Sequence, residues 1–125
     1  MANFNLNVHI VPFFDSVKNP LEEIGESKSV WNNGYDNVAI ELSGEGSATL
    51  VVQGCVNTIN DKDEQLSDED CSWSNLSTLN AKNYSQVEQI VDKGIYYVGI
   101  TGISRIRVKA TSVSGKVTIV GAFSK

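Results

Sequence analysis

Between positions 105 and 110 apolar and basic residues alternate without a break. Ile106, Val108 and Ala110 occupy one phase, and Arg105, Arg107 and Lys109 the other. Side-chain direction in a strand repeats every second residue, so such a stretch buries one face and wets the other only when extended. Residues 95–100 and 116–122 flank it as further strands, and Gly94, Gly102 and Gly115 separate the three. Three closing strands at this spacing commit the domain to antiparallel β structure while supplying no reaction chemistry.

The rest of the chain reads in the same way. Phe4, Leu6, Val8 and Ile10 alternate with Asn3, Asn5, Asn7 and His9, predicting a first strand over residues 4–11 that Pro12 ends. Residues 12–26 read as an irregular arm, with one helical turn between Pro20 at its first position and Gly25 as its stop. A short strand over 27–31 precedes the turn Asn32-Asn33-Gly34, and strands over 37–42 and 48–56 follow. A weaker strand over 87–91 leads into the closing three. About eight short strands and no long helix predict an all-β fold: a single-domain antiparallel β-sandwich or jelly roll with an N-terminal arm. The expected division is a strand and docking arm over 1–26 and a sandwich over 27–125, with an acidic insertion at 57–70.

Composition narrows the function. At 125 residues the chain suits one domain with a real core, and 41% hydrophobic residues are too many for disorder. A net charge of −5 with no offsetting basic stripe argues against nucleic acid as a partner. No run approaches the roughly 18 apolar residues of a membrane span, so no membrane partner is expected. The first Lys or Arg is Lys18, so no charged segment precedes an apolar run, and folding in a cytoplasm is the expectation.

Few residues suggest chemistry. His9 is the only histidine, on the polar phase of the first strand and without a nucleophile near it in sequence; it reads as a solvated or rim residue. No phosphate-binding glycine loop, nucleophile elbow or dinucleotide fingerprint is present, so neither an enzyme nor a cofactor is expected. Asp61, Asp63, Glu64, Asp68, Glu69 and Asp70 place 6 of the 15 acids in one polar stretch, which reads as an exposed hairpin insertion. A calcium loop there would lack its turn glycine and would carry Lys62 among the ligands. Cys55 and Cys71 bracket the insertion. If the strand over 48–56 pairs with residues 72–79, the two sulfurs meet at the open end, as a disulfide or as reduced thiols.

Three aromatic groups complete the candidates. Phe13 and Phe14 are neighbours on the arm, and neighbours in a strand diverge. One is therefore expected in the core and the other at a partner. Trp31 and Trp73 read as core anchors, and Trp31, Tyr35 and Tyr84 are the candidates for stacking a carbohydrate.

The segments Thr49-Leu50-Val51-Val52-Gln53-Gly54, Trp73-Ser74-Asn75-Leu76 and residues 94–102, together with the closing stretch 105–121, resemble small β-sandwich modules of tailed-bacteriophage virion proteins. These include head fibres, capsid decoration proteins and tail adaptors, and the resemblance covers roughly residues 37–122. It implies a non-enzymatic virion component, commonly a homo-oligomer and often a trimer, in which Phe4, Leu6 and Val8 of the first strand would be buried between chains together with Phe13 and Phe14. Its partners would be other capsid or tail proteins, reached by the N-terminal arm. It would be made in the bacterial host cytoplasm and reside on the virion surface, with head fibre or capsid decoration preferred. A carbohydrate- or receptor-binding module is the alternative. The acidic insertion departs from the short connection usual in such modules.

Overall fold

The computed structural model of the chain describes residues 8–14 and 21–125. Its strands are β1 (Val8–Phe14), β2 (Gly25–Glu26), β3 (Val30–Trp31), β4 (Asn37–Ser43), β5 (Ser47–Cys55), β6 (Ser74–Leu76), β7 (Thr78–Asn80), β8 (Gln86–Val87), β9 (Gly94–Gly99), β10 (Arg105–Ser114) and β11 (Thr118–Ser124). One short 3-10 turn, Asp68–Asp70, interrupts them. They form two antiparallel sheets. The larger runs β1-β11-β4-β9-β7-β8; in the smaller, β2-β10-β5-β6, β3 also pairs with β10. The fold is thus the expected all-β sandwich, built from eleven strands where about eight were predicted. The extra ones are two or three residues long, too short for alternation to reveal.

On β4 and β10 the core lies where the alternation places it. From the larger sheet Val38, Ile40 and Leu42 of β4, Val98 of β9 and Phe123 of β11 point inward, and Leu50, Val52, Ile106 and Val108 meet them from β5 and β10. Each is essentially without solvent contact. Burying side chains of this size stabilises the fold by about 1.5–3 kcal/mol apiece. Ile90 adds a bridge to Leu50 on the side of the sandwich (2.8 Å in both directions), where the weak strand over 87–91 was expected.

The N-terminal expectations are corrected in two places. β1 runs through Pro12 to Phe14 rather than ending at Pro12. It lies at the edge of its sheet, paired with β11, and an edge strand can spare the N–H that proline lacks. The register slips from Pro12↔Val120 to Phe14↔Ile119, so Phe13 sits in a bulge. A bulge cancels the alternation of neighbours, and both phenylalanines are buried in the chain's own core, at 4% and 8% exposure. Neither is left for a partner. Between Leu21 and Gly25 there is no helical turn. Leu21 is buried and exchanges two backbone hydrogen bonds with Val117 (3.1 Å each), which keeps the chain extended. The described parts of 1–26 are therefore hydrogen-bonded into both sheets, through β1, Leu21 and β2.

Candidate functional site

Each sheet has an outer face, and the two differ in chemistry. On the smaller sheet, β10 turns Arg105, Arg107 and Lys109 outward, but this face is not left to water. Arg105 is 4% exposed. Its Nη1 donates to Asp68 Oδ1 and to Cys71 Sγ, both at 3.3 Å, and its guanidinium lies 4.4 Å from the centre of the Trp31 ring. Asp68 is held in turn by Ser29, whose hydroxyl donates at 2.6 Å and whose backbone N–H donates at 3.1 Å. Next along the strand, Arg107 stacks on Trp73 at 4.2 Å and donates through Nε to Gln53 Oε1 at 2.8 Å. The indole of Trp73 donates back to the Asp68 carbonyl at 2.8 Å.

The acidic insertion is thereby latched onto the sheet. Its tip remains exposed as a small hairpin bridged between Ile59 and Gln65. The Asn60 side chain there accepts the N–H groups of Lys62 and Glu64 at 2.8 and 3.0 Å. Its base is drawn inward by Asp68. The two tryptophans expected in the core lie outside it, Trp31 at 42% exposure, because each covers an arginine from the solvent side. Cys55 and Cys71 are brought together at the foot of the insertion, both buried and both free thiols. Burial foremost, then the hydrogen bond with Cys71, pushes the Cys55 thiol up to about 11. Among the described residues no group of three or more His, Cys, Asp or Glu side chains gathers as a metal site.

The outer face of the larger sheet is apolar. Register lays Ile10, Ala122, Ala39, Tyr97 and Leu79 in one row across β1, β11, β4, β9 and β7. A second row joins Pro12, Val120, Glu41 and Ile95. Ile10 is 66% exposed, Tyr97 44%, Ile95 43% and Val8 41%. On β1 the apolar phase of the sequence is thus the outward one. His9 instead faces Tyr35, ring on ring at 6.3 Å, with Phe123 behind them. His9 is exposed at this rim, as expected of a residue without a chemical partner.

The remaining candidates are scattered. Val8 joins the bare face, whereas Phe4 and Leu6 lie outside the described residues. Trp31, Tyr35 and Tyr84 do not form a common platform. Trp31 belongs to the smaller sheet, Tyr35 packs by β1 and β11, and the exposed Tyr84 sits in the β7–β8 connection beyond β4 and β9. The reading from sequence missed the Asp68–Arg105 latch and the apolar outer face. A signal for the second existed: Ala39, Ile95 and Tyr97 occupy the non-core phase of β4 and β9, where a wetted strand would carry charge.

No family model matches this chain, and no curated protein matches it. Solved structures do share its fold. The crystal structure of SPBc2 prophage-derived protein YomS is similar over 95% of this chain and 94% of that one, with a TM-score of 0.68 and 16% identity. The crystal structure of PBSX exported protein XepA is similar over 94% of this chain but 38% of that one, with a TM-score of 0.67 and 12% identity. At these identities the likeness is one of fold.

Proposed function

We propose that this chain is a non-enzymatic structural protein of a bacteriophage virion, a head-fibre or capsid-decoration component held on the particle surface. The observation that carries this reading is the end-to-end likeness of fold to a prophage-derived protein of matching length. The two outer faces agree with it. One is a latched network of stacked arginines whose polar groups hold one another, and the other is a bare apolar sheet of the sort that contacts proteins. The chain is made in the bacterial host cytoplasm, and its partners are other virion proteins. Mass spectrometry of purified particles from the phage encoding it is expected to find it in repeated copies relative to the capsid protein. Its absence from particles, or turnover of a substrate by the purified chain, overturns the reading.

One observation favours carbohydrate or receptor binding as a second reading. The Trp31 ring is half open to solvent beside a shallow groove lined by Asn32, Gly34, Gly102 and Ile103. Under that reading, glycan-array binding disappears with Trp31→Ala and survives Tyr84→Ala, since the two rings do not share a site.

A further inference from the structure

The acidic insertion leaves β5 and returns to β6 on two limbs that are fastened differently. The outgoing limb is tied through its backbone: Ser104 donates its N–H to the Cys55 carbonyl at 2.9 Å and its hydroxyl to the Val56 carbonyl at 2.8 Å. The returning limb, residues 66–72, has no backbone hydrogen bond to either sheet among the described residues. Its Leu66 and Asp70 N–H groups bond within the insertion, to the Thr58 and Ser67 carbonyls. Side chains hold it instead: Asp68 on Arg105 and Ser29, and Cys71 Sγ as a second acceptor of Arg105 Nη1. The Asp68 side chain keeps 34% of its surface in solvent, so water and salt compete for that pair. A fastening of this kind opens and recloses by local unfolding. Cys71 lies on the returning limb, and Cys55 closes β5, where it is the cross-strand partner of Arg105. The two thiols hydrogen-bond to each other across the base of the insertion.

We propose that Cys55 and Cys71 are a redox latch for the acidic insertion. With both thiols reduced, the returning limb lifts whenever its side-chain contacts open; with the sulfurs joined, it is fixed and the exposed tip keeps one orientation. Cys71 is the sulfur that meets the oxidant. It is 8% exposed against 2% for Cys55, and it moves outward with the limb, whereas Cys55 is held in the β5–β10 ladder. Cys71, as a thiolate, attacks one sulfur of a small-molecule disulfide; the reagent's S–S bond breaks, a mixed disulfide forms and one thiol departs. As the limb settles back, Cys55 loses its proton and attacks Cys71 Sγ, expelling the second thiol. The protein gives up two electrons and two protons, and the reagent takes up both pairs. A cytoplasm keeps such thiols reduced and an oxidising exterior joins them, so the insertion is fixed on leaving the cell. The chemistry does not depend on the virion role proposed above; only that timing does.

The Ser29 amide and the Trp73 indole N–H both donate to Asp68, so their exchange with solvent deuterium reports the latch. In the reduced full chain they are expected to exchange faster than the amides of β4, by local opening. Treatment with glutathione disulfide is expected to slow both by about tenfold or more. Under native conditions Cys55→Ser is expected to take up one glutathione several-fold faster than Cys71→Ser, as read by intact mass. Equal exchange in the reduced and oxidised chains overturns the proposal, as does exchange no faster than that of β4 in the reduced chain. So do thiols that stay free after treatment, or faster capture at Cys55. The exchange comparison uses the parent chain alone, so it decides even where a serine variant fails to fold.

Discussion

Gly121 and Phe13 show how closely this core is fitted. A Cβ at Gly121 would stand 2.6 Å from Phe13 Cε2 and 3.2 Å from Val38 Cγ2. The phenylalanine ring therefore lies over bare β11 backbone, in the space an alanine methyl would take. Gly121→Ala is expected to destabilise the chain by about 1–3 kcal/mol through overpacking, and Phe13→Ala by about 3–5 kcal/mol through the cavity it leaves. The double variant should lose less than the sum, because the methyl enters space the ring has vacated. Urea unfolding of the three variants measures this, and strict additivity would mean that the two positions do not share that space. None of it was legible from sequence. Glycine in a strand signals a close approach, but what approaches is Phe13, 108 positions away and delivered by a bulge.

At the scale of elements, the connection from β5 to β6 departs most from its sequence character. Its charge marks it as solvated, and most of it is. Asp68 is nonetheless turned inward because β10 supplies a buried guanidinium with an N–H to spare. Arg105 Nε still has no partner, so the network keeps its charge by the Asp68 contact and the Trp31 face. The thiols at the foot of this connection are poised to join. With glutathione disulfide as oxidant, Cys55 and Cys71 are expected to give one protein disulfide and two molecules of glutathione. The product is lighter by two hydrogens, and the closed loop adds about 3 kcal/mol in the chain-entropy account. Thiol titration of the unfolded product tests this; two thiols still present would mean that the sulfurs do not reach bonding geometry. The reaction should be slow, since burial keeps Cys55 protonated at neutral pH.

The stability of the whole molecule should register that same thiol. Cys55 has an ordinary value of 9.0 and is pushed up to about 11 in the fold. Between the two the unfolded chain releases its proton while the folded chain keeps it, so stability is complete below about pH 9 and falls as pH rises toward 11. The loss over that window is at most about 3 kcal/mol. Tyr96 is also raised, by burial foremost and then by the Asp92 carboxylate, and its loss runs in the same direction. Urea unfolding at about pH 8 and about pH 10.5 should therefore show a smaller drop in Cys55→Ala than in the parent chain, with Tyr96→Phe as the control. Equal drops in the parent and Cys55→Ala would show that the thiol titrates alike in both states.

Alternation of side chains by itself determined the class of this protein and the inward residues of β4 and β10. These are properties of one strand with its two faces, and a strand's period is local. Tertiary structure decided which outer face is wetted. Whether Arg105 meets water or Asp68, whether Phe13 and Phe14 diverge or turn inward together, and whether Ile10 is covered depend on partners far along the chain. Those partners are set by strand order, register and one bulge, and no period in the sequence encodes them.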